Sequence, residues 1–418
     1  MNLARQEFHK KAHYYLALAI TFSLPVARLT PIFISLMLLN WLVEGDFKNK
    51  FQSVFKNKLS LVFILFYVSH ITGLIYTENM DAGVFDLQVK LSILLFPLIF
   101  VSRPIDSDKL KNIFYSLIGG CILAAFIMLS RATFTYITLG EKNFFYEPFS
   151  SFLIHPSYIS MYMNVAIAWL LLNLKVSQFS TTKKINFISF LIILFFSVLI
   201  VLLSSKIGLL AMILMYIAFL IYVVISKKKY LIGVIGLFTI AVSIFVVMNF
   251  IPSLSGRINR AIEAVTSSKK DNTEKESTAV RMLVWKAAGQ VISENKLFGV
   301  GTGDAKAELV KEYEKEGMVA AFEHKYNAHN QFYQVFVSLG VIGFIVFLST
   351  LLLPIFLAFK TNNTIYFLFL VIIILNFLPE SMLEVQAGSM FYAFFNSLLC
   401  FLNRVPKNNN EQLTPSNL

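Results

Sequence analysis

Long apolar runs alternate along this chain with short polar breaks, and the alternation sets the class before any single residue is weighed. Twelve runs can be traced, at about 13–28, 30–44, 58–75, 87–102, 112–130, 151–173, 186–203, 207–226, 230–250, 332–359, 361–379 and 384–402. They are solidly apolar, as helices crossing a hydrocarbon layer roughly 30 Å thick must be. Ten-residue segments of alternating polarity would mark a membrane barrel instead, and the runs do not have that period. Charges fall between the runs rather than along helix faces, which excludes one large soluble core. Pro25, Arg28 and Pro31 interrupt the first stretch, so two short helices fit it better than one kinked helix. The pattern predicts an all-α, polytopic transmembrane bundle of about twelve spans, forming a single integral-membrane domain over residues 1–418.

One break is of a different size. Residues 251–331 carry twelve Lys/Arg and eleven Asp/Glu and end in His324, His329 and Asn330. Inside this insert, between the ninth and tenth runs, Val280, Leu283, Ala287, Val291 and Ile292 recur at helical spacing. They predict a helix over Ser277 to Glu294, closed off by Gly299, Gly301 and Gly303. A second helix is expected at about 304–316, where Glu308–Lys311 and Glu312–Lys315 suit a water-facing surface. The stretch Ser267–Ser277 reads as polar and mobile, and the tail 404–418 as a disordered cytoplasmic segment.

Charge decides the orientation. With the N-terminus in the cytoplasm, the short cytoplasmic segments hold nineteen of the 36 basic residues, among them Lys48, Arg103, Lys183, Lys227 and Arg404. Two outer connections are acidic: Glu78, Asp81 and Asp86 in one, Glu380 and Glu384 in the other. This positive-inside bias places both termini in the cytoplasm and the 251–331 insert outside. The first run lacks a small-residue cleavage site and is expected to stay as the first span.

Composition sharpens the picture. The chain is 57% hydrophobic and only 14% charged, with 42 Phe, beyond the usual range of soluble domains. Its net charge of +12 invites a nucleic-acid reading, but no zinc spacing, phosphate loop or basic helical stripe accompanies it. Cys121 and Cys400 both lie inside apolar runs, so neither a disulfide framework nor a thiolate metal site is indicated.

Several residues on the outer side carry candidate chemistry, each with a plainer alternative. Arg281, four residues before Trp285, offers the planar fork that matches phosphoryl oxygens, or else snorkels to lipid headgroups. His329 is able to move a proton near neutral pH, or else buries against the following helix. His324 and His329 are five apart, on different faces of a helix, and lack a third ligand at metal spacing, so no metal is expected. His155 opens the sixth run beside Pro156, facing either headgroups or a cavity. Lys206 follows Ser204 and Ser205 in a turn between runs seven and eight. With Arg131, Arg257 and Arg260 it makes an anion-attracting rim, unless anionic lipids account for each cation singly. Glu384 either orients a neighbouring Arg or His or is an ordinary interface residue.

Read together, these pieces resemble a known family. Ala328-His329-Asn330-Gln331-Phe332-Tyr333, followed by Leu339-Gly340-Val341-Ile342-Gly343, resembles the His-Asn and Gly-x-x-Gly segment of the O-antigen ligase/polymerase superfamily. Arg281-x-x-x-Trp285 running into Leu297-Phe298-Gly299-Val300-Gly301 is similar to its external loop. Ser204-Ser205-Lys206-Ile207-Gly208 resembles its Ser-Arg-x-Gly turn, with Lys where Arg is common. His155-Pro156-Ser157-Tyr158 resembles its His-Pro element. The resemblance implies a glycosyltransferase of the bacterial inner membrane, working at the periplasmic face on glycans carried by undecaprenyl diphosphate. Ligases of this kind pass the glycan to lipid A–core, while polymerases extend one lipid-linked chain with another. On that reading His329 and Arg281 are catalytic, Lys206, Arg257, Arg260 and His155 hold the diphosphate, and Asn330, His324 and Glu384 support them. The donor already contains its activated bond, so no soluble cofactor and no metal are implied. The partners are the lipid-linked glycan, lipid A–core or a growing glycan, and membrane lipids, with no nucleic acid. A polysaccharide or lipid transporter is the competing class, but no paired discontinuous spans are evident in the sequence.

Overall fold

The computed structural model describes residues 3–26, 28–174, 183–266 and 277–403, and these are helical, without strands. The 267–276 stretch and the 404–418 tail, read above as mobile and disordered, lie outside the described residues. Among the described residues six helices are long and apolar enough to cross a membrane: Lys58–Tyr76, Met80–Ser102, Ser107–Leu139, Lys206–Lys227, Tyr230–Phe250 and Gln331–Lys360. Thr30–Glu44, Phe187–Leu203 and Thr364–Phe377 are apolar but shorter. Each apolar run of the sequence nevertheless falls on a helix. The first two are Leu3–Ser23 and Thr30–Glu44, separated at Pro25 and Pro31.

Helices differ in how much of their surface the protein covers. In Gln386–Cys400 every residue from Ala387 to Leu399 is buried, whereas Gly233 alone is buried in Tyr230–Phe250. The covered helix is the centre of the bundle, and the uncovered, apolar one is its lipid-facing edge. Phenylalanines fill the space between helices. Phe394 meets Phe96 and Phe100 edge-on at centroid distances of 5.2 and 5.3 Å, and Phe114 stacks on Trp169 at 4.3 Å. At one end of the bundle Glu44 is buried between Lys50 (2.8 Å) and Arg103 (2.6 Å).

Two boundaries differ from the sequence reading, each for a local reason. The helix expected from 87 starts at Met80, because the Asn79 side chain accepts the Ala82 N–H and caps it. Asp86 therefore belongs to the helix rather than to an acidic outer connection, and it pairs with the fully buried Lys90 one turn on. The run expected at 332–359 is a broken helix. Gly340 sits at φ 62°, ψ −165°, a conformation open essentially to glycine alone. The break is filled by the loop after Ser277–Glu294: Val300 and Gly301 donate N–H bonds to the carbonyls of Val337 and Ser338, and Val341 donates to Lys296. A Cβ at Gly340 would lie 2.3 Å from the Leu297 carbonyl oxygen. The Gly-x-x-Gly element thus lets the insert dock its backbone into the membrane helix.

Among its described residues the insert holds four helices, Pro252–Thr266, Ser277–Glu294, Ala305–Lys315 and Val319–Glu323. Lys311 and Lys315 pair with Glu308 and Glu312 as the spacing predicts. Val284, Ala287, Leu309, Tyr313 and Ala328 form a small core of their own. Its second anchor is Asp304, whose two carboxylate oxygens accept the N–H groups of Glu78 and Asn79 at 2.7 and 2.9 Å.

Candidate functional site

Helices Lys206–Lys227, Pro252–Thr266 and Ser277–Glu294 meet the N-terminus of Pro156–Asn173 and the 379–380 turn around a cavity of about 990 Å³. Its walls are of two kinds. Leu209, Leu210 and Ile213 from one helix, with Ile258, Ile262 and Val265 from another, line an apolar part. The latter three recur at i, i+4 and i+7, the stripe an amphipathic helix turns toward its neighbours. Lys206, Arg257, Arg281, His155 and Glu380 line the polar part.

Local structure sets each polar group. Ser205 caps the helix that begins at Lys206, its hydroxyl accepting the Gly208 N–H at 3.2 Å. Lys206 is therefore the first helical residue and not part of a turn, and its ammonium donates to Thr278 at 2.7 Å. The Arg257 guanidinium stacks on Tyr146 at 3.4 Å, a cation–π contact that orients its plane. His155 caps its own helix through Nδ1 and has Glu147 3.7 Å from Nε2. Arg281 donates through Nη2 to Glu380 Oε1 at 2.5 Å. The Nε of both Arg257 and Arg281 is buried with no acceptor among the described residues.

Glu380 joins two of the residues singled out in the sequence. Its second oxygen, Oε2, lies 3.3 Å from His329 Nδ1. Burial pushes this carboxyl up, but the His329 bond and the Arg281 charge outweigh it and hold the group below the usual carboxylate range. His329 has a left-handed backbone (φ 43°), donates its N–H to Asn327, and accepts the Trp285 indole N–H on its carbonyl. Tyr326 packs edge-on to the imidazole at 4.8 Å. Glu380 lines the cavity while His329 sits behind it, its side chain 23% exposed.

The remaining expected residues fall elsewhere. Asn330 is the cap of Gln331–Lys360, its side-chain oxygen accepting the N–H groups of Phe332 and Tyr333. His324 is exposed and stacks on Tyr326; Arg260 is exposed and off the lining; Arg131 stacks on Phe152. Glu384 was expected to orient an Arg or His of the site. It pairs instead with the buried Lys90 at 2.8 Å, because the turn carries it toward the bundle interior and leaves Glu380 facing the cavity. Glu380 and Lys90 are the residues the sequence reading passed over. Lys90 had a signal, a cation inside an apolar run with Asp86 four residues before it.

Residues 190–348 match the family model described as O-antigen ligase. An uncharacterized protein of Haemophilus influenzae is 26% identical over 186 residues, a match covering 42% of this chain and 46% of that relative. The chain therefore spans less than half of that relative's length. Residues 190–348, the stretch similar to the O-antigen ligase family, carry Lys206, Arg257, Arg281 and His329.

Proposed function

We propose that the chain is an O-antigen ligase-like glycosyltransferase of the bacterial inner membrane, moving a glycan from undecaprenyl diphosphate to lipid A–core on the periplasmic face. One observation carries the reading: a single cavity joins a cationic end to an apolar slot between two helices. That combination suits a ligand with a polyanionic head and a hydrocarbon tail. The tail lies along Leu210, Ile213, Ile258 and Ile262, and the diphosphate meets Arg281, Lys206 and Arg257, with His155 beside them. Arg260 and His324 stay outside this clamp.

In the transfer, an acceptor hydroxyl oxygen attacks the anomeric carbon of the glycan. The bond from that carbon to the diphosphate breaks and its electron pair leaves on the phosphate oxygen. Fixed cations at the diphosphate favour this charge as it develops. The hydroxyl proton passes to His329. Because His329 stands behind Glu380, the acceptor approaches it from the outer solvent rather than through the lipid slot. The proposal includes the topology read from the charge bias: about twelve spans, both termini cytoplasmic, and 251–331 as a periplasmic insert. The transporter reading gains one broken helix, but the break at Gly340 is closed by backbone bonds to the insert rather than left open to bind a substrate.

Purified protein supplied with radiolabelled lipid-linked oligosaccharide and lipid A–core should move the label and release undecaprenyl diphosphate. Intact donor after prolonged incubation rejects the enzyme reading. In a deletion strain, loss of polymer from lipid A–core with lipid-linked polymer accumulating marks a ligase, and single-repeat capping marks a polymerase. Orientation is tested separately. A cysteine replacing the exposed Lys311 should react with a membrane-impermeant thiol reagent in intact spheroplasts. Labelling only after permeabilisation inverts the topology and removes the periplasmic chemistry.

A further inference from the structure

Glu380 stands at the junction of the two catalytic candidates, and its position is unusual for a carboxylate. It lines the cavity that the diphosphate would enter, where a second negative charge opposes binding unless it serves the reaction. We infer that Glu380 is a positioning residue of this transfer: it holds His329 through Nδ1 and occupies Arg281 until the donor diphosphate takes over that guanidinium. The inference rests on the reading given under Proposed function.

The geometry supports two separate uses of the two oxygens. Oε1 takes the Arg281 bond at 2.5 Å and Oε2 the His329 contact at 3.3 Å. A carboxylate on Nδ1 keeps that nitrogen protonated and leaves the lone pair on Nε2, the tautomer a base needs. The carboxylate is not free to wander. On one flank of the turn Ser381 accepts the Asn330 N–H at 3.1 Å, and Leu383 donates to the Gln331 side chain at 2.7 Å. On the other, Glu384 is tied to Lys90, which also pairs with Asp86. The turn is thus pinned both to the insert side and to the bundle interior. A diphosphate entering beside Lys206 and Arg257 carries more charge than one carboxylate and matches the guanidinium fork, so it competes well for Arg281. Glu380, held in place, then acts on His329 alone. Donor arrival and base preparation are coupled through one side chain.

The groups facing this pair are Arg281, His155, Tyr158 and Tyr326, with Glu147 beyond His155. The sign of the test follows. Removing the negative charge beside the imidazole withdraws a partner that favours its protonated form. Glu380→Gln keeps the shape but presents an amide N–H₂ where one of two donors must be met. We expect its turnover with lipid-linked donor to fall roughly 10- to 100-fold, the usual effect of losing the partner that orients a functional histidine. The donor KM should stay level or drop, since Arg281 is no longer neutralised. The acid limb of the kcat–pH profile should move to lower pH, and Glu380→Asp should recover part of the rate.

Proton NMR of the histidine C2–H resonances, with His329→Gln for assignment, reads the same shift in purified protein without turnover. An unmoved His329 titration in both Glu380 variants, beside a wild type that transfers glycan, overturns this inference alone. So does a rate loss with a rising KM and an unshifted pH limb, which would make Glu380 merely structural. A wild type that transfers nothing overturns the underlying reading whatever Glu380 does.

Discussion

Arg281→Ala is expected to lower glycan transfer by roughly 10²- to 10³-fold, the effect of deleting one fixed donor at a developing negative charge. Two consequences of the substitution must be separated. The first is chemical, the loss of a planar fork beside the leaving diphosphate. The second is structural: Glu380, with only 15% of its side chain exposed, keeps His329 but loses its nearest guanidinium, and an under-compensated buried carboxylate destabilises the fold around it. Rates are therefore compared at matched levels of folded protein. Arg281→Lys distinguishes the two. A lysine still offers Glu380 a counter-ion, so the fold should hold. It presents a point charge rather than a fork and grips the arriving diphosphate less well, so activity should stay well below wild type. Arg281→Ala turning over at the wild-type rate would remove this residue from the mechanism and leave Lys206 and Arg257 to bind the head group.

What the sequence made legible follows from where desolvation is severe. A charged side chain in hydrocarbon is costly, so runs and breaks mark helices and connections almost without reference to tertiary structure. The glycines of the Leu339–Gly343 element entered only through a family resemblance, and the break at Gly340 is their physical content. The site was legible only where a residue's type limits its role, as with Arg281 and His329. It was not legible in choosing between Glu380 and Glu384. Both lie in the same short connection, four residues apart, and either suits an Arg or a His. The choice is made by the 310 turn Met382–Glu384 and by Lys90, a partner far away in the sequence. Asn330 shows the converse. Its neighbourhood to His329 reads as function, but its side chain is spent on capping a helix. Local capping and catalysis draw on the same polar residue types, and only the three-dimensional partner list separates them.

The same partner list shapes what His329 should do when replaced. Its Nδ1 is engaged by Glu380, leaving Nε2 to take the acceptor proton, so a variant that keeps the Glu380 contact but cannot relay a proton isolates the chemistry. Glutamine does this: its amide N–H₂ donates to Glu380 in place of Nδ1–H. The expected loss in transfer rate is about 10²-fold or more, the usual worth of a positioned base. Backbone strain is the competing cause, because residue 329 has φ 43°, which His and Asn tolerate better than Gln. His329→Asn supplies the control, easier on the backbone but too short to relay a proton. If strain governs, Asn should be the milder change in both unfolding temperature and rate. If proton transfer governs, both variants should fall together in rate while Asn melts near wild type. The decisive record is initial rate against pH across the neutral range, where a proton-relaying base shows as an inflection. Wild type should show the inflection and both variants should lose it. Addition of EDTA or Zn²⁺ to the wild type should leave the rate unchanged. Near-wild-type rates in either variant across that range would make His329 a structural neighbour of Glu380, and restoration of an EDTA-silenced enzyme by a divalent ion would replace the proposed base with metal chemistry.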